Sequence, residues 1–204
     1  MNGKAPGKKH AGTRNRFRII GGEWRGRRLR FPAERRIRPT PDRVRETLFN
    51  WLQNHIAGAR CLDLFAGSGA LGLEALSRGA AQAVFVERDP VNASMIREHL
   101  GQLGASARVE CVDAFDFLRT NTDTFDLAFL DPPFDQALLK SVLPALAEHG
   151  TLKSDALVYV EAAAGKLASS LPAGWALRRA SKAGAVEFGL AETEAHKDAN
   201  DKAE

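Results

Sequence analysis

Asp63-Leu64-Phe65-Ala66-Gly67-Ser68-Gly69-Ala70-Leu71-Gly72 is the stretch on which the fold turns. An apolar run of strand length, residues 60–65, leads into three glycines spaced Gly-x-Gly-x-x-Gly, and a helical pattern follows over residues 70–78. Glycines at this spacing let the chain turn sharply, admit a ligand close to the main chain, and leave amides of a helix N-terminus facing it. Strand, glycine turn and helix in that order form the opening unit of a parallel α/β sheet.

The same alternation continues downstream. Apolar runs recur at residues 82–87, 107–112, 125–130 and 156–161, with helical spacing over 90–103 and 135–149. Gly79 suits a helix C-cap and Asp89-Pro90 a helix start. Trp175–Ser181 and Val186–Leu190, separated by Ala183-Gly184, have the pattern of a hairpin at one sheet edge. The expected architecture is α/β: a doubly wound, mostly parallel, seven-stranded Rossmann-like sheet closed by a C-terminal antiparallel hairpin.

Glu87 ends the second of these strands, 20 residues after Gly67, where a carboxylate can accept both ribose hydroxyls of a nucleoside. That geometry serves NAD and S-adenosylmethionine alike. Asp63 favours the second, because an α-amino group and a sulfonium call for anionic company rather than phosphate-binding amides alone. Asp113, after the third strand, is placed either to bond an adenine amino group or to cap a surface turn.

The strand Phe125–Leu130 stops at Asp131-Pro132-Pro133-Phe134. Two prolines remove two backbone donors and hold the chain extended, so the Asp131 carboxylate and the Pro132 carbonyl face outward together at the carboxyl end of the sheet. Two acceptors side by side match the two N–H donors of a planar exocyclic amine. Bonding both protons frees the nitrogen lone pair from conjugation and aims it at a methyl donor, while Phe134 offers a stacking face to an extruded base. The motif alone does not choose between guanine N2, adenine N6 and cytosine N4, nor between RNA and DNA. A non-catalytic RNA-binding or assembly factor on a retired fold is disfavoured because Asp63, Gly67, Gly69, Glu87 and Asp131 are all present.

Charge narrows the partner. Residues 1–45 hold 15 Lys/Arg and three Asp/Glu, whereas the 204-residue chain as a whole has a net charge of +4. A basic arm therefore precedes an acidic body, and a polyanion such as nucleic acid is its natural partner. Residues 1–15 lack apolar periodicity and are expected to be a disordered tail. Residues 16–37 are expected to be a small basic β-hairpin that docks RNA, with Arg25, Arg27, Arg28 and Arg30 around Trp24 and Gly26. Thr40 is expected to cap a helix of about 15 residues starting at Pro41 and ending at Gly58, within a catalytic domain spanning 38–190. Residues 191–204 are expected to be a disordered charged tail. No apolar run is long enough to span a membrane and no signal peptide is evident, which points to the cytoplasm. Cys61 and Cys111 both lie in apolar runs and are expected to be reduced core residues. The five histidines share no spacing, and neither a catalytic role for them nor a metal is expected.

These motifs resemble the nucleic-acid amino-methyltransferases, whose reaction signature is [Asn/Asp/Ser]-Pro-Pro-[Tyr/Phe/Trp]. Arg18 through Arg27, Arg38 through Leu52 and Leu62 through Arg78 are similar to the bacterial 16S rRNA (guanine(966)-N2)-methyltransferase family, and the similarity spans residues 16–190. The resemblance implies S-adenosylmethionine as cofactor, with Asp63, Phe65, Ala66, Gly67, Ser68 and Gly69 at its methionine end. It places Glu87 and Arg88 at the ribose and Asp113, Ala114 and Phe115 at the adenine. It assigns Asp131, Pro132, Pro133 and Phe134 to the target base, and Arg18, Trp24, Arg25, Arg27, Arg28, Arg30, Arg38 and Arg43 to RNA. Arg38, Thr40 and Arg43 border the cofactor pocket in the family, so they organise its mouth or touch RNA. The implied substrate is 16S rRNA within a partly assembled small subunit, and the implied state a monomer.

Overall fold

The computed structural model describes residues 16–31, 39–132 and 136–193. Pro133, Phe134 and Arg38 lie outside these residues, as do the tail 1–15 and residues 194–204.

Seven strands form the main sheet. β3 (Arg60–Asp63), β4 (Gln82–Val86), β5 (Arg108–Glu110), β6 (Phe125–Leu130) and β7 (Leu152–Ala163) are parallel, and β8 (Trp175–Ala183) and β9 (Val186–Thr193) make the antiparallel hairpin. Their spatial order is β5-β4-β3-β6-β7-β9-β8. The chain starts in the middle, winds outward through β4 and β5, then crosses back to β6. The carboxyl ends of β3 and β6 are therefore neighbours at the point where winding reverses, the place where open α/β sheets bind ligands.

Alternation along each strand feeds two cores. Cys61, Ala83, Phe85, Leu127, Phe129, Leu157 and Tyr159 pack on one face against α1 (Asp42–Trp51), α2 (Ala70–Ser77) and α3 (Pro90–Leu103). Leu62, Val84, Val86, Ala128, Leu130, Val158 and Val160 pack on the other against α4 (Ala114–Thr120), α5 (Gln136–Glu148) and α6 (Leu167–Ser170). A register irregularity between Phe125 and Leu127 turns Phe125 to the second face. A Cβ on Gly72 would overlap the Phe85 ring, so the third glycine of the loop lets α2 lie directly on β4.

The N-terminal hairpin is β1 (Arg16–Arg18) paired antiparallel with β2 (Arg28–Arg30). Phe17 and Leu29 turn inward to the first core, while the flanking arginines face solvent.

Four expectations need correction. The helix after Pro41 ends at Trp51, not Ala57, and residues 52–58 form turns. Thr40 does not cap it: the cap position is Pro41, with no side-chain hydrogen bond, because the Thr40 hydroxyl is engaged elsewhere. Cys111 is exposed, since β5 has already ended at Glu110. The last strand continues to Thr193, past the 190/191 boundary, because Ala191 and Glu192 keep pairing and are buried. Helix α4 was not expected at all.

Candidate active site

The glycine loop closes on the sheet through its backbone. Leu64 N–H donates to Phe129 C=O (3.1 Å) and Ala66 N–H to Val86 C=O (3.0 Å), so the loop is tied to β6 on one side and β4 on the other. Gly69 enters α2 at φ 76°, in the left-handed region that glycine adopts without strain. Ser68 and Ala66 are buried, and Phe65 and Gly67 half-buried.

The acidic residues divide their work. Glu87 accepts the Gly67 N–H and the Asp89 N–H, each at 2.8 Å, and so braces the loop as well as facing the ligand side of β4. Asp63 is buried and accepts the Gly72 N–H at 2.9 Å, inside the first turn of α2. Burial pushes its carboxyl up to about 7; the Gly72 bond opposes the shift, and the charges of Asp131 and Glu87 add to it. Asp113 caps α4 by accepting the Phe115 N–H at 2.9 Å and is itself exposed. Arg88 is exposed and Ala114 buried.

Among the described residues, the large apolar side chains recorded as exposed are Val91, Val112 and Phe115. All three sit just beyond the carboxyl ends of β4 and β5, where the resemblance places an adenine. Exposed apolar groups at this edge could be covered by a planar ring.

Asp131 stands at the end of β6, beside Asp63 across the switch point. Its Oδ2 accepts the Thr40 hydroxyl at 3.0 Å. Continuing the β6–β7 register one residue past Leu130 and Val160 puts Glu161 alongside it, and the two carboxyls act on each other electrostatically. Tyr159 Oη donates to Glu161 Oε1 at 2.6 Å. Burial pushes both acids above the ordinary carboxyl range; Glu161 rises further because the Asp131 charge adds to burial, while the Thr40 and Glu161 hydrogen bonds restrain Asp131. Both shifts disfavour a doubly ionised pair, and Glu161 is the acid pushed up further. Pro132 is buried. Pro133 and the ring of Phe134 fall outside the described residues.

The arm is locked to this site through buried charge. Arg45 is 0% exposed, and its guanidinium donates to Thr40 C=O (3.1 Å), Arg18 C=O (2.8 Å) and Asp42 Oδ1 (2.6 Å), with Glu74 Oε2 at 3.4 Å. Glu74, equally buried, accepts the N–H groups of Ile20 and Gly21 (2.8 Å each) and is paired with Arg78 at 2.7 Å. Ser77 Oγ donates to Gly21 C=O and accepts the Trp24 N–H. On the other strand, His99 Nε2 donates to Arg30 C=O at 2.8 Å and the ring also meets the Ser68 backbone; burial keeps the imidazole neutral by lowering its pKa. Arg25, Arg27, Arg28, Arg30 and Arg43 are exposed, and Arg18, also exposed, pairs with Asp42. Trp24 is half-buried against the first core, so only part of its ring is available for stacking.

Sequence reasoning missed Arg45, Glu74, Tyr159 and Glu161. A signal existed for the first two: Arg45 lies on the buried stripe of α1 with Val44, Leu48 and Phe49, and Glu74 on that of α2, so opposite charges occupy two apolar faces.

A reversing α/β sheet whose switch point joins a glycine loop to a half-buried Asp131 and a buried Pro132 defines a Rossmann-like methyltransferase. The chain belongs to the family described as conserved hypothetical protein 95, whose model matches residues 17–192. It is 46% identical over 187 residues, 91% of this chain and 94% of the relative, to the ribosomal RNA small subunit methyltransferase D of Escherichia coli K12. The protein of that name from Haemophilus influenzae is 42% identical over 183 residues, 87% of this chain and 94% of its own. A solved Escherichia coli structure, the candidate methyltransferase yhhF, superposes with a TM-score of 0.81 at 45% identity, covering 87% of this chain and 98% of that one.

Proposed function

We propose that this chain transfers the methyl group of S-adenosylmethionine to the exocyclic N2 of one guanine in 16S rRNA, acting in the cytoplasm on the partly assembled small subunit. The observation that carries the reading is Asp131, held by Thr40 next to the glycine loop at the switch point of the sheet. The small-subunit rRNA methyltransferases named among its relatives support the substrate.

Bound, the cofactor supplies a methyl group already attached to a positively charged leaving group, so no metal is needed. The chain's residues hold and aim. The loop from Phe65 to Gly69 cradles the methionine end, Glu87 meets the ribose beside the loop amide it braces, and Val91, Val112 and Phe115 cover the adenine. Asp131 accepts an N–H of the amine, which keeps the nitrogen lone pair directed at the methyl carbon. As the N–C bond forms and the C–S pair leaves on sulfur, the surplus proton on nitrogen passes to the Asp131 carboxylate. The exposed arginines of the arm neutralise RNA phosphates, and Phe134 stacks on the base.

Asp131→Ala tests the reading. Cofactor affinity by calorimetry is expected to hold while methyl incorporation into 16S rRNA is lost, and mass analysis of the wild-type product should find N2-methylguanosine. Full activity without Asp131, or methylation of another amine, overturns it.

A further inference from the structure

We infer that Glu161, fixed by Tyr159, is a positioning residue for the transfer: it keeps its own proton and donates it as a hydrogen bond to Asp131, which holds Asp131 as the anionic acceptor that faces the amine. The inference deepens the proposed reaction and rests on it.

The geometry comes from the register of two parallel strands. Phe129 is opposite Tyr159 and Leu130 opposite Val160, so Asp131 and Glu161 continue the pairing at the sheet edge. Side chains two apart share a face, which puts Tyr159 directly behind Glu161. The Tyr159 hydroxyl, with only one proton to give, spends it on Glu161 Oε1. A chain of three groups then runs from the buried Tyr159 phenol through Glu161 to Asp131, and the Thr40 hydroxyl closes it from the far side.

Two adjacent carboxyls, Glu161 buried and Asp131 half-buried, cannot both be charged at low cost, so one retains a proton. Among the described residues, the groups that shift Asp131 and Glu161 include no cation. The groups acting on Glu161 are Asp131 and Tyr159. Asp63, with Glu87 acting on it, adds negative charge from β3 and β4. From β9, Glu187 stands opposite Ala162 and is turned to the Gly165 N–H and Lys182. On α1, Arg45 is committed to Glu74 and Asp42, and on α5 Lys140 is exposed. Burial and the Asp131 charge push Glu161 up to about 8, whereas Asp131 rises only to about 6. The proton therefore stays on Glu161, and Asp131 faces the amine as the anion.

This arrangement has a signature that a merely structural glutamate lacks. Transfer requires Asp131 ionised and Glu161 protonated, so kcat should follow a bell in pH, falling on the acid side as Asp131 protonates and on the alkaline side as Glu161 ionises near pH 8. Glu161→Gln keeps a donor toward Asp131 and an acceptor for Tyr159 but cannot ionise. It should retain the acid limb and lose the alkaline one. Glu161→Ala should lower kcat roughly 10- to 100-fold, the scale of one hydrogen bond to a charged group, with the KM for cofactor little changed, and Glu161→Gln should recover most of that rate.

The experiment is the pH profile of methyl transfer for wild type, Glu161→Gln and Glu161→Ala, paired with difference infrared spectra of the unliganded proteins at pH 7. Wild type should show a protonated-carboxyl band, additional to that of Asp63, that Glu161→Gln lacks. An alkaline limb unchanged in Glu161→Gln, or no difference in the carboxyl band, overturns the inference. If Glu161→Ala does not fold, Glu161→Gln alone decides. Wild-type protein that binds cofactor and shows the band but transfers no methyl to rRNA sinks the proposed substrate instead, so the two failures are distinguishable.

Discussion

Thr40→Val removes one atom's worth of chemistry from the site and leaves the shape. Thr40 is 6% exposed, and its Oγ1 donates to Asp131 Oδ2 at 3.0 Å. Valine keeps the branched side chain, and the Thr40 carbonyl still accepts from Arg45. What is lost is a hydrogen bond to an ionised carboxylate, about 1.5–3 kcal/mol. At about 1.4 kcal/mol per decade, kcat should fall roughly 10- to 100-fold if that bond steadies Asp131 during transfer. A second effect has a definite sign. The Thr40 bond lowers the Asp131 pKa, so its removal raises that pKa further and moves the acid limb of the rate profile to higher pH. The assay is labelled-methyl incorporation into 16S rRNA in partly assembled subunits across pH, alongside cofactor calorimetry and thermal melting, with Thr40→Ser as the variant that restores the donor. A Thr40→Val rate within twofold of wild type refutes the reasoning. So does a loss of cofactor affinity as large as the loss of rate, because the hydroxyl would then serve the cofactor rather than Asp131.

Two further outcomes follow from charge. Replacing Arg25, Arg27, Arg28 and Arg30 together with alanine should weaken RNA binding and flatten its dependence on log salt concentration by about 3 if each arginine meets one phosphate. The melting temperature should stay close to wild type, since all four are exposed; an unchanged slope in fluorescence anisotropy removes the arm from RNA docking. For Asp63, the folded pKa is raised from 3.8 to about 7, so its contribution to stability is fully present below 3.8 and is lost as pH rises through about 7. Urea unfolding from pH 5 to pH 8 should therefore cost wild type roughly 2–3 kcal/mol more than Asp63→Asn, at about 1.4 kcal/mol per pKa unit. Parallel pH dependences for the two proteins would contradict this.

Much of the fold could be read from the chain because its signals are local. The runs at 60–65, 82–87 and 125–130 are apolar on both faces of a covered sheet, and the glycine loop and Asp89-Pro90 mark turns by backbone chemistry alone. Helix α4 escaped because seven residues with Ala114, Phe117 and Leu118 buried make less than two full repeats of a helical stripe. Thr40 was misread because a hydroxyl has one proton, and the tertiary acceptor Asp131, 91 residues away, took it from the helix cap. The same distance problem hid Glu161, whose meaning depends on which residue of β6 it faces. Register between parallel strands joined by a helix is set by packing, not by a short turn, and leaves no mark near either residue. Arg45 and Glu74 were hidden in another way: each alone resembles a solvated charge, and only their meeting makes a buried pair.

That pair makes the N-terminal arm something other than a detachable antenna. Arg45 acts as a pivot pin between the arm's Arg18 carbonyl and the Thr40 carbonyl, and the Thr40 side chain steadies the reacting carboxylate. Glu74 clasps the arm's Ile20 and Gly21 amides from the helix that begins at the cofactor loop. Transplanting the arm onto another methyltransferase scaffold would thus carry over its positive charge but not its leverage. Arg45, Glu74 and Ser77 would have to travel with it, because the joint between arm and sheet runs through the interior.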